Sequence, residues 1–160
     1  MSTRRLVLVS ALTALLAACA TTQAPVPVAD ALARDPQLST LAGLVQKAGL
    51  TDTLRAAGPY TVFAPTNDAF KAVPQKTLDE LAANPARLKA VLTYHVLPAR
   101  VSAAEVKVGN AKTVEGANLA LGKAGTFVTV EEAMVQTADI AATNGVIHTI
   151  DRVLLPPVRR

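Results

Sequence analysis

The sequence predicts an α+β fold, and three observations predict it. Apolar residues at three-to-four spacing fill the first half of the chain, and a β-branched and aromatic run interrupts them early at Tyr60-Thr61-Val62-Phe63-Ala64. Short strand-like runs punctuated by Gly116, Gly122, Gly125 and Asn144-Gly145 fill the second half. Helices segregated from antiparallel strands are the mark of this class. The chain has 160 residues, 51% of them hydrophobic and 18% charged, which suits one modest core and excludes a multidomain enzyme.

Residues 1–18 read as a secretory signal peptide: Arg4 and Arg5, an apolar run from Leu6 to Leu16, then small residues at Ala17 and Ala18. The run is shorter than the ~20 residues that a spanning helix needs. Leu16-Ala17-Ala18-Cys19 resembles the lipobox of bacterial lipoproteins, in which the cysteine becomes the lipidated first residue of the mature chain. In that class Ala20 after the cysteine implies sorting to the outer membrane, facing the periplasm. Thr3-Arg4-Arg5-Leu6-Val7-Leu8 is also loosely similar to a twin-arginine signal, so the export route stays open. Residues 19–35 then form the lipidated Cys19 and a Pro/Ala-rich tether, in which Pro25 and Pro27 favour an extended polyproline conformation.

Asp35 followed by Pro36 predicts a helix start, and Leu38, Leu41, Leu44, Val45 and Ala48 form one apolar face that ends at Gly49. A short helix capped by Thr51 or Asp52 follows, ending at Gly58. After the strand at 60–64, Thr66, Asn67 and Asp68 offer side-chain oxygens to a helix carrying Ala69, Phe70 and Val73. Leu78 and Leu81 mark another helix, and Asn84-Pro85 opens one that buries Leu88, Val91 and Leu92. Tyr94 to Leu97 then reads as a strand, and Ser102 to Glu105 has capping-box spacing for one helical turn. Further strands are predicted at 112–114, 119–121, 126–130, 134–137 and 146–154.

No reactive constellation emerges from this pattern. Ser39 and Ser102 stand at helix starts without the flanking glycines of a nucleophile elbow. Gly116 to Lys123 has one residue too many for a phosphate loop and Ala124 where a hydroxyl is required, so it reads as a hairpin turn. His95 and His148 are distant in sequence and have no nearby cysteine, so no metal and no cofactor are expected. Asp79-Glu80 and Glu131-Glu132 are adjacent pairs that suit a solvated face or a turn. The formal charge is +4, Arg4 and Arg5 leave with the signal peptide, and no basic stripe interleaved with aromatics exists, so nucleic acid is excluded as a partner.

Three segments carry a family resemblance. Thr61 to Phe70 (TVFAPTNDAF), Tyr94-His95, and Asn144 to Pro156 (NGVIHTIDRVLLP) resemble, in order, the signature stretches and central Tyr-His motif of the fasciclin-type domain family. The resemblance covers roughly 36–156, leaving 157–160 as a C-terminal tail. It implies two small β-sheets forming a wedge or sandwich, with several helices packed on one side. It also implies that Thr66, Asn67, Asp68, His148 and Asp151 serve the fold. In animal members the Tyr-His region and an Asp-Ile pair are associated with integrin binding. The matching positions here are Tyr94, His95, Asp139 and Ile140, with Asp139-Ile140 expected on a surface connection. The implied function is a membrane-anchored adhesion or interaction module with a protein or polysaccharide partner in the cell envelope. The alternative is a carrier or sensor for a hydrophobic or tetrapyrrole-like ligand, with a histidine at the rim of its pocket.

Overall fold

Asp35 accepts a hydrogen bond from the Gln37 amide at 2.9 Å, and Pro36 opens a 3-10 turn, Pro36–Leu38, that leads into helix α2. The computed structural model describes residues 24–157. In chain order it contains α1 (Val28–Arg34), α2 (Ser39–Lys47), α3 (Thr51–Arg55), β1 (Tyr60–Pro65), α4 (Asn67–Lys71), α5 (Gln75–Ala83) and α6 (Pro85–Tyr94). The strands β2 (Val96–Leu97), β3 (Gly109–Lys112), β4 (Asn118–Ala124), β5 (Phe127–Val130), β6 (Ala133–Ala142) and β7 (Gly145–Ile150) follow.

The strands join in the order β2-β1-β7-β6-β5-β4-β3. β6 belongs to both halves, pairing with β7 along one arm and with β5 along the other, so the two small sheets expected are the two arms of one bent sheet. The outer strands approach each other, because Val114, just past β3, donates its amide to the Val96 carbonyl of β2 at 2.8 Å. All pairs are antiparallel except β1 with β7, which run parallel from Tyr60↔Gly145 to Pro65↔Ile150. Burial on both faces explains why β1 reads as an unbroken apolar run rather than an alternation. Val62 and Ala64 point to a core shared with Leu32, Leu41, Val45, Leu54 and Leu88 under the helices. Phe63 points to a second core, with Tyr94, Leu97, Leu119, Val130 and Ile150, between the arms of the sheet.

Three expectations change. The tether does not extend to Asp35: residues 28–34 are helical, with Val28 and Leu32 fully buried, because two apolar residues four apart give α1 a face that the domain covers. Tyr94 ends helix α6 instead of opening a strand, and β2 is only two residues long. Short apolar runs fit either period, and here the helix capped by Asn84, which accepts from the Arg87 amide at 3.1 Å, extends through it. Asp139 and Ile140 lie within β6, not on a connection. The expected signal peptide, Cys19 and residues 158–160 lie outside the described residues.

Asn144 closes the fold over long separations in sequence. Its side-chain nitrogen donates to the carbonyls of Leu54 (2.7 Å) and Ala56 (2.9 Å), and its side-chain oxygen accepts from the Val28 amide (2.8 Å). One side chain thus joins the start of α1, the end of α3 and the β6–β7 turn. Asn144→Ala leaves three backbone groups without these partners and is expected to cost about 2–3 kcal/mol. Hydrogen exchange should show the Val28 amide losing protection before the β-sheet does.

Candidate functional site

The residues singled out by sequence fall into four neighbourhoods. At the start of α4, Thr66 caps the helix by accepting from the Ala69 amide at 3.4 Å. Asn67 reaches away to the neighbouring turn: its oxygen accepts from the Thr40 amide at 3.0 Å, and its nitrogen donates to the Pro36 carbonyl at 2.8 Å and to Ser39 Oγ at 3.1 Å. Asp68 is exposed and pairs with Lys71 at 2.7 Å. Asn67 therefore stitches α4 to the α2 entry, and Asn67→Ala is expected to lower stability by about 1–2 kcal/mol in a urea melt.

Tyr94 and His95 are adjacent in sequence but serve different cores. The Tyr94 hydroxyl donates to the Asn118 carbonyl (3.1 Å) or to Glu131 Oε1 (3.3 Å), an atom that also accepts from the Ala120 amide (2.8 Å). Burial and the neighbouring Glu131 carboxylate push the phenol up to about 12, so it remains a donor. Glu131 holds this position with φ of 54°, in the left-handed region. His95 is buried. Its Nδ1 faces the Val91 carbonyl at 2.8 Å and its Nε2 accepts from the Leu154 amide at 3.0 Å, which places the proton on Nδ1. Burial lowers its pKa to about 4, the hydrogen bond to Val91 opposing in part.

The fourth neighbourhood does bring two candidates together. β6 makes two register shifts against β7, between Val135 and Thr137 and between Thr137 and Ile140, and Asp139 sits in the second with φ of 58°. Its amide donates to Nδ1 of His148 at 3.2 Å, so His148 carries its proton on Nε2 and donates it to the Val101 carbonyl at 2.9 Å. The Asp139 carboxylate accepts from the Ala103 amide at 2.9 Å. Thr61 Oγ1 donates to the Ala99 carbonyl and accepts from the Val101 amide, and Lys123 donates to the carbonyls of Ala103 and Ala104. The segment 99–105 is thus clamped from β1, β4, β6 and β7. His148 also stacks on Phe63, its ladder partner, at 5.6 Å between ring centroids. Ile140 is half-buried and packs against the helical core. Asp151 accepts from the Met134 amide at 2.7 Å and fixes the start of β6.

Chemically, these neighbourhoods hold the backbone. Among the described residues no three His, Cys, Asp or Glu side chains converge as a metal site, and no helix is long and apolar enough to cross a membrane. Both histidines have both nitrogens engaged, so neither offers one to iron. The cavity beside His95 has a volume of about 50 Å³, far short of a macrocycle. Sequence inspection missed Thr61, Lys123 and Asn144 as clamps. Each acts on a backbone group far away in the chain, which no local pattern signals.

The family model for the fasciclin domain matches residues 36–156. Protein sll1483 of Synechocystis is 42% identical over 141 residues, spanning 87% of this chain and 78% of that protein. The cell surface glycolipoprotein MPB83 of Mycobacterium bovis is 36% identical over 138 residues, 83% of this chain and 62% of that one. Among solved structures, a FAS1 domain pair from the insect cell adhesion molecule Fasciclin I shares the fold with a TM-score of 0.69 at 19% identity, over 82% of this chain and 52% of that one. The two signature stretches and the Tyr-His pair lie inside the matched span, and with it the chain belongs to the fasciclin domain family.

Proposed function

We propose that this protein is an adhesion-type interaction module of the cell envelope, held to the outer membrane by lipid on Cys19 and engaging a protein or polysaccharide partner from the periplasmic side. Its membership of the fasciclin domain family carries the reading, and the lipobox-like Leu16 to Cys19 supports the anchor. The name of the Mycobacterium bovis relative, a cell surface glycolipoprotein, points the same way. In this reading the protein acts by binding and not by catalysis. The β6 bulge supplies the candidate contact: Asp139 is exposed, Ile140 is half-buried beside it, and the clamped 99–105 segment gives them a fixed backing. Tyr94 and His95 are both buried, so in this reading they serve the fold and not the contact.

Two experiments test it. Palmitate labelling should mark the parent chain and not Cys19→Ser, and the unlabelled variant should leave the membrane fraction; equal labelling ends the anchor. For the contact, Asp139→Asn is the informative change, because asparagine tolerates positive φ and retains an acceptor for Ala103 while losing the charge. It should keep the unfolding midpoint and lose capture of the envelope partner. Asp139→Ala is expected to lose about 1–2 kcal/mol as well, since alanine resists the left-handed region. Normal capture by folded Asp139→Asn and Ile140→Ser would remove the bulge from the interface.

A further inference from the structure

The helical core contains a cavity of about 50 Å³ between β1 and the helices α2, α3 and α6. Leu41, Val45, Leu54, Val62, Leu92 and Val96 form its buried walls. His95 closes one side, but its two nitrogens are already bonded to Val91 and Leu154 and leave no polar anchor. No lining residue carries a carboxylate, an ammonium or a guanidinium. Exposed Thr53 and Val114 share the lining with these buried walls, so the cavity reaches the surface, and Val114, 41% exposed, puts an apolar side chain at the mouth.

These features restrict the occupant. Water needs two to four polar partners, and although Thr53, Tyr60 and Thr93 share the lining, almost all of its surface is apolar. The volume is about a third of the ~150 Å³ apolar cavity known to admit benzene, so a ring overfills it, whereas the end of a slender chain takes less room. A charged or hydrogen-bonding group would be stranded inside and belongs outside the mouth. We propose that this cavity binds the methyl end of a linear acyl chain, with the head of the lipid left in solvent and the next methylenes lying along Val114.

The full chain carrying Cys19→Ser, which has no acyl group of its own, is titrated with sodium decanoate and, separately, with sodium acetate while methyl resonances are followed by NMR. Decanoate should shift the methyl signals of Val45, Leu54, Val62 and Leu92 saturably, and acetate should not. Thr93→Trp, at the half-buried mouth, should weaken decanoate at least tenfold. Phe127→Ser, at an exposed site away from the cavity, should leave it unchanged. Val45→Phe fills the cavity from within and should abolish the shifts; if it does not fold, the mouth variant decides alone. Decanoate shifts confined to residues outside the cavity, or equal affinity in folded Thr93→Trp, overturn the proposal. The lipidated parent separates two sources of the chain: competition by its own acyl group makes it refuse decanoate, and an unchanged affinity identifies a free lipid as the occupant.

Discussion

Gly145→Ala should leave the domain largely unfolded under conditions in which the parent is stable. A β-carbon at Gly145 would overlap the Tyr60 carbonyl oxygen and lie 2.9 Å from the carbonyl carbon of the same residue. Both belong to backbone at the first rung of the parallel β1–β7 pair, which holds the two cores apart and cannot swing aside as a side-chain tip would. Neighbouring Asn144 also accepts the Tyr60 amide on its carbonyl at 3.0 Å, so a shift of either strand breaks the strap between α1, α3 and the turn. The expected loss is about 4 kcal/mol or more, a fall in Tm of roughly 15 °C. Gly43 supplies the contrast. It lies inside α2 with nothing within 4 Å of an added β-carbon, and Gly43→Ala should stabilise by about 0.5–1 kcal/mol. Thermal melts of the two variants beside the parent check both signs, and an unchanged Gly145→Ala melt would contradict the close approach.

The second large effect is acid sensitivity from His95. Burial holds the folded imidazole down at about 4, whereas in the unfolded chain it titrates at its ordinary value of about 6.5. The unfolded state therefore takes up the proton first as pH falls. Stability from this group is complete above pH 6.5, declines between 6.5 and 4, and levels off below 4. The total is about 3 kcal/mol, from ~1.4 kcal/mol for each unit of displacement. Forced protonation would also set an Nε2 proton against the Leu154 amide, so the segment after β7 should loosen first. Urea midpoints between pH 4 and 8 should show the slope in the parent, and His95→Gln should flatten it while lowering the plateau. Equal slopes would assign the acid sensitivity elsewhere.

How much of this was legible beforehand depended on the range of the interaction. α2 and β1 announce themselves, because Leu38, Leu41 and Val45 keep a helical spacing and Thr61 to Ala64 form an unbroken run. The roles of Asp35, Thr66 and Asn84 as caps were also legible, since a cap acts within three residues of itself. α1 was hidden by Pro25 and Pro27 and by having only Val28 and Leu32 to mark its face; what makes it a helix is the cover that α2, α3 and β7 provide. Asp139 looked like a loop residue because alternation cannot report a bulge, and two register shifts in β6 carry the strand straight through it. Asn67 reads from sequence as a polar residue offered to the helix it starts, and its partners Pro36, Ser39 and Thr40, on the entry to α2, are visible only in three dimensions.

The parallel pair also sets the order in which the protein can be made. β1 is an early strand, yet its place is between β2 and β7, and β7 is the last strand to be synthesised. The bond from the Val28 amide to Asn144 spans 116 positions. A chain still emerging from a ribosome or a membrane pore can form α2, α5 and α6 locally, but it has no native centre until residue 150 is free. Folding is therefore expected to be slow and to start only once β7 has emerged, because closing so long a loop precedes the contacts that reward it. Nascent chains ending before Gly145 should remain fully protease-sensitive, whereas chains extended past Leu154 should acquire protection in a single step.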